Sequence, residues 1–103
     1  MSTPPFRPKV FVHPIVLTDH VFDKVRSIDM ALAEFHVCLL AGEVIEETDL
    51  GTSGLKELVL TLEWSRPLHV VVVVDASRGE ERIVTVYEPD PARWTDNFRR
   101  RRA

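Results

Sequence analysis

The chain has 103 residues, of which 45% are hydrophobic and 28% charged, and its formal net charge is −3. Those values fit one globular domain with a single core and leave no room for two. They exclude a disulfide scaffold, because Cys38 is the single cysteine, and a general nucleic-acid binder, which carries a strong positive excess.

No apolar run approaches the roughly 18 residues of a membrane span. The opening MSTPPFRPKV lacks the apolar stretch of a signal peptide, so a cytoplasmic location is expected. Charge is unevenly spread. Residues 29–63 hold eight acids and one base, whereas residues 64–103 hold eight arginines and six acids, with Arg99 to Arg102 consecutive.

Residues 1–9 are rich in proline and read as a loose leader. The stretch KVFVHPIVLT is strand-like, but Pro14 lacks an N–H donor, which restricts any strand there to a short or edge position. Thr18 and Asp19 are cap residues for a short helix to about Arg26, with Val21, Phe22 and Val25 on one face. Asp29 is a second cap candidate, opening a broadly apolar helix that stops near Gly42. EVIEET then reads as the exit of that helix or a short edge strand, and DLGTSG as a turn.

Three strands follow. LKELVLTLEW alternates apolar and polar residues and predicts a half-buried strand. LHVVVVVDA is a continuous β-branched run, the pattern of a strand covered on both faces. After the turn SRGE, RIVTVYE is the third. PDPARWTDNF predicts a short helix, with Asp90 as cap and Pro91 in its first turn. The expected class is α+β: two N-terminal helices packed on an antiparallel sheet of three to four strands in meander order, then a short C-terminal helix and a flexible basic tail over residues 99–103.

The segment RPLHVVVVVD…RIVTVYEPDPARWTDNFRRRR resembles the C-terminal half of a family of small bacterial domains of unknown function. Members share a strand opening lHvv, a strand and loop iiTvY.PDp..W, and a closing FR.R. HVFDKVRSI followed by GEVIEET is similar to the family's N-terminal motif, with His20 on its histidine, Arg26 and Ile28 at its end, and Lys24 where an arginine is usual. The family is placed near the RelE-type toxins, so the resemblance implies a RelE-like fold, a metal-independent ribonuclease activity and an antitoxin partner.

Such chemistry needs a base for the ribose 2′-proton, an acid for the leaving oxygen and cations for the phosphate. Candidates for the catalytic groups are His20, Arg26, His69 and Tyr87, with Lys24 and Arg66 on phosphate. Each also has a plain structural reading. His69 opens a buried strand, where a histidine is normally hydrogen-bonded structure, and His20 and Lys24 at i, i+4 form an ordinary solvated helix face. Tyr87 anchors a loop, and Trp94 fastens the last element to the sheet.

Four scattered histidines and one cysteine give no metal-ligand spacing, and no phosphate loop or cofactor motif is present. Two functions are expected: a RelE-like toxin acting on RNA, as the resemblance implies, or a non-catalytic domain of the same fold that works through a homodimer or partner surface.

Overall fold

The computed structural model describes residues 6–102. In chain order the elements are β1 (Arg7–Pro8), β2 (Ile15–Leu17), α1 (Asp19–Ser27), α2 (Leu32–Leu40), β3 (Glu43–Asp49), β4 (Leu55–Thr61), β5 (Leu68–Asp75), β6 (Glu80–Tyr87), β7 (Trp94–Thr95) and β8 (Arg100–Arg101). Six strands form one sheet in the order β1-β3-β4-β5-β6-β2, and β7 and β8 form a separate two-stranded ribbon. Strands β3 to β6 form an antiparallel meander as expected, but the sheet has six strands where three to four were expected. β1 joins its β3 edge antiparallel, and β2 joins its β6 edge parallel.

α1 starts where its cap chemistry places it, with the Val21 amide donating to Thr18 Oγ1 at 3.3 Å. Asp29 does not cap the second helix. It sits at φ 58 just past the end of the first, and the Met30 amide reaches back to the Val25 carbonyl. That is the left-handed helix stop usually taken by glycine. α2 begins later, after Ala31, whose amide donates to Glu34 Oε1 at 3.0 Å.

EVIEET, read as a helix exit or short edge strand, is part of the seven-residue interior strand β3. The expected C-terminal helix is absent. Asp96, Asn97 and Phe98 take positive φ, and the chain turns back so that Trp94 pairs with Arg101. A run of left-handed residues cannot belong to a right-handed helix.

Residues expected in a loose leader are also structured: Arg7 and Pro8 pair with Val44 and Glu43, and Lys9 is buried. Residues 1–5 of that leader and Ala103 of the basic tail lie outside the described residues. Between β1 and β2 the chain must pass from one edge of the sheet to the other, so residues 9–14 form a crossing arm.

Side chains alternate across the sheet, and each face has its own core. Leu68, Val70 and Val72 of β5 pack with Val21, Val25, Phe35, Cys38 and Leu39 of the helices. Ile45, Leu58 and Leu60 pack on the other face under Trp94 of the ribbon. Both faces of the valine strand are therefore covered within one chain.

Candidate functional site

His69 is the first outward residue of β5 on the ribbon-covered face, directly opposite Tyr87 of β6. Its side chain is fully buried, with the Trp94 ring edge-on at 4.4 Å and the Tyr87 ring at 5.3 Å. Nε2 lies 2.9 Å from the Phe98 carbonyl, which accepts only, so Nε2 carries the proton. Nδ1 is then the acceptor for the Tyr87 hydroxyl at 3.2 Å. Burial holds the imidazole below its ordinary pKa, against the opposing pull of the Phe98 carbonyl, and burial likewise pushes the Tyr87 phenol up. In this arrangement His69 is a neutral histidine with both nitrogens engaged.

The ribbon over this pair is held by charge. Arg99 reaches Glu43 through two nitrogens at 3.0 Å, and Arg101 reaches Glu46 at 2.8 and 3.0 Å. Each guanidinium is pushed above its ordinary pKa chiefly by the hydrogen bond to its carboxylate. Glu43 and Glu46 are three residues apart, an odd separation that in a regular strand places them on opposite faces. A β-bulge between Val44 and Glu46 corrects this: Glu43 pairs with Leu60 and Glu46 with Leu58, so both carboxylates face the ribbon.

The other sequence candidates lie elsewhere. His20 sits on exposed α1, its Nε2 3.1 Å from Thr85 Oγ1. At about 100° per residue, Lys24 falls beside His20, whereas Arg26 falls on the opposite flank of the buried Val21–Val25 stripe. Arg66 is engaged by Glu88 at 2.9 Å and by the Ile28 carbonyl at 3.2 Å, over the Trp64 ring. Of the six candidates, only His69 and Tyr87 are in direct contact.

Two features were not singled out from the sequence. Lys9 of the crossing arm is buried between Glu57 and Glu81; its Nζ is 2.7 Å from Glu57 Oε1 and bonds Glu81 Oε1. Glu81 is fully buried and also accepts from the Val12 and His13 amides at 2.8 and 3.0 Å. Desolvation alone would raise its pKa, but Lys9 and the two amides outweigh it and hold the carboxyl below its usual range. Glu57 and Glu81 read as polar positions of half-exposed strands, and no local pattern announces that a lysine some 50 to 70 residues earlier will cover them.

The second feature is an apolar recess of about 460 Å³ between α2 and the segment Phe11–Leu17, lined by Phe11, Ile15, Leu17, Leu32, Phe35 and Leu39, with His13 and His36 at its rim. Its signal was the wide apolar surface of the second helix. Among the described residues, no three metal-ligating side chains cluster, and no helix is long and apolar enough to cross a membrane.

Taken together, this is a small α+β domain with two helices on one face of a mostly antiparallel sheet and a polar pair enclosed on the other. The chain belongs to a family described as a domain of unknown function, DUF4258, whose model matches residues 17–88. That span runs from the end of β2 to the residue after β6 and contains all six candidates, but neither the crossing arm nor the ribbon. No curated protein and no solved structure matches the chain.

Proposed function

We propose that this domain works by protein–protein contact through the outer face of α2, and that a second copy of the chain is its occupant. The observation that carries this reading is that α2, LAEFHVCLL, is apolar around most of its circumference. Phe35, Cys38 and Leu39 turn inward, yet Val37 and Leu40 are each 58% exposed and Leu32 is 47% exposed. A helix apolar on nearly all sides belongs in an interior, and a contiguous exposed patch of this kind marks an interaction site. An apolar ridge beside an apolar recess is self-complementary, as a two-fold interface requires.

The state of the cations supports the same reading. Arg66, Arg99 and Arg101 are neutralised by Glu88, Glu43 and Glu46. The test is the solution mass by light scattering over a concentration series, wild type beside Val37→Lys, Leu40→Lys. A wild-type dimer that the double variant abolishes, with unchanged circular dichroism, supports the reading. A wild-type monomer throughout the series overturns it.

A second reading, RelE-like cleavage of RNA restrained by an antitoxin, is favoured by one observation. Two candidate proton-transfer groups, His69 and Tyr87, meet on the sheet face opposite the helices. Two helices on a mostly antiparallel sheet are also what the resemblance implies. Growth arrest on expression, relieved by Tyr87→Phe with folding intact, is the expected outcome. Unimpaired growth with abundant folded protein overturns it.

A further inference from the structure

The ribbon shares no strand ladder with the main sheet. Its attachments are the packing of Trp94 and Phe98 on Ile45, Leu58 and Leu60, Trp94 edge-on to His69, the Phe98 carbonyl on Nε2 of His69, Arg100 over the Phe6 ring, and the two arginine–carboxylate pairs to β3. Three consecutive non-glycine residues at its tip, Asp96, Asn97 and Phe98, hold positive φ of 52°, 54° and 70°. Asp and Asn tolerate that region, but a phenylalanine there is strained, and such strain persists only while the surroundings enforce it.

Beneath the ribbon lie a histidine and a tyrosine that are paired with each other, on an apolar floor of Ile45, Leu58 and Leu60. The bulge that turns Glu43 and Glu46 to one side supplies both carboxylate anchors at a single place in the sheet. Arg100 and Arg102 make no hydrogen bond to the sheet: Arg100 bonds Asp96 and stacks over Phe6, and Arg102 bonds the Pro91 carbonyl. Both stay exposed, ready to receive an anion first.

We propose that residues 94–102 form a charge-latched cap, opened when a chain of phosphates takes Arg99 and Arg101 from Glu43 and Glu46 and so bares His69 and Tyr87. Guanidinium groups grip phosphate as they grip carboxylate, through paired N–H bonds, so the exchange keeps the arginines satisfied. Four arginines in sequence suit a repeating anion better than a single one. Trp94, Tyr87 and Phe98 become surfaces on which bases stack if the phosphates belong to a single-stranded nucleic acid. The cap is on the opposite sheet face from α2, and the inference stands whether or not the chain dimerises and whether or not it cleaves RNA.

The experiment uses the full chain with Trp64→Phe, which leaves Trp94 as the single tryptophan. Acrylamide quenching of Trp94 fluorescence is measured with no addition, with inorganic polyphosphate, with oligouridylate and with polyglutamate. Quenching that rises several-fold with both phosphate chains supports the cap and its shared ligand chemistry. A rise with one alone supports the cap and identifies the source. No rise with either, or an equal rise with polyglutamate, overturns the proposal. Glu43→Gln, Glu46→Gln should be open without any addition; a folded double variant whose Trp94 stays protected overturns the latch. If that variant does not fold, a salt series on the parent protein takes its place. Rising salt should expose Trp94 before the sheet unfolds, and exposure only together with global unfolding overturns the latch.

Discussion

Replacing Lys9 by methionine removes the ammonium from a site where two carboxylates remain. Glu57 keeps Arg7 at 2.9 Å, but Glu81, fully buried, keeps only the Val12 and His13 amides and the His13 ring at 3.4 Å. Breaking a buried ion pair from one side costs about 3–5 kcal/mol. A domain of this length has about 5–15 kcal/mol in total, so the loss is a large share. At about 4–8 °C per kcal/mol, Tm at neutral pH should fall by roughly 12 °C or more.

The pH dependence carries the more specific test. In the wild type the Glu81 pKa is lowered, so its contribution is present above the unfolded glutamate pKa and is lost as pH falls through the folded value. In Lys9→Met the buried carboxyl has lost its cation, its pKa moves above the unfolded value, and the sign reverses. The variant therefore regains stability as pH falls toward the unfolded value, a range in which the wild type keeps its Glu81 contribution and below which it loses it. Thermal melts of both proteins between neutral pH and pH about 4 should show the gap narrowing. A gap independent of pH, or a fall below roughly 4 °C, refutes the clamp.

Two further predictions concern the sheet. His69 has a folded pKa below its unfolded value, so its unfolded state binds more protons, and stability should drop as pH falls from about 6.5 toward the folded value. Urea midpoints should show His69→Gln losing part of that drop; identical pH slopes in the two proteins would contradict the assignment. Gly54 has φ 109°, and a Cβ there would lie 2.2 Å from the Val74 carbonyl oxygen, whereas Gly79 at φ 64° faces open space. Gly54→Ala should cost about 2–5 kcal/mol and Gly79→Ala about 1 kcal/mol by urea unfolding, and equal costs would show that the strand crossing has slack.

The elements legible in the sequence were those whose pattern is local. Thr18 caps α1, the valine run is an interior strand, and β6 alternates as its residues do, whereas β4, read as half-buried, is buried throughout residues 57–61 because both of its faces are covered. β3 was harder because its bulge breaks the period of two, placing Ile45, Glu43 and Glu46 on one side. Asp29 misled because a residue suited to starting a helix can also end one when φ turns positive. Asp90 and Pro91 opened a plausible helix, but Arg99 and Arg101 are satisfied on Glu43 and Glu46, far away in sequence.

The site divides along the same line. His69 and Tyr87 are cross-strand partners, within reach of strand-pairing logic, and the sequence points to both. The scatter of His20, Arg26 and Arg66 depends on helix rotation and on the partners that neutralise Arg66, which only the assembled fold supplies. Lys9 escaped notice because its partners are 48 and 72 residues away.

The crossing arm has one more consequence. β1 and β2 lie at opposite ends of a six-strand order, and five gaps of about 4.8 Å make roughly 24 Å. From Pro8 to Ile15 the chain has seven steps, which at about 3.3–3.6 Å each reach roughly 23–25 Å. The arm does not cross a flat sheet: Lys9 already bridges Glu57 of β4 and Glu81 of β6, and Val12 and His13 bond the same Glu81 that Ile15 pairs with, so the sheet curls around the arm. The contact of Lys9 with Glu81 closes only once a strand made much later in synthesis is in place. The arm thus takes its seat only after β6, the partner of both Lys9 and β2, has been made.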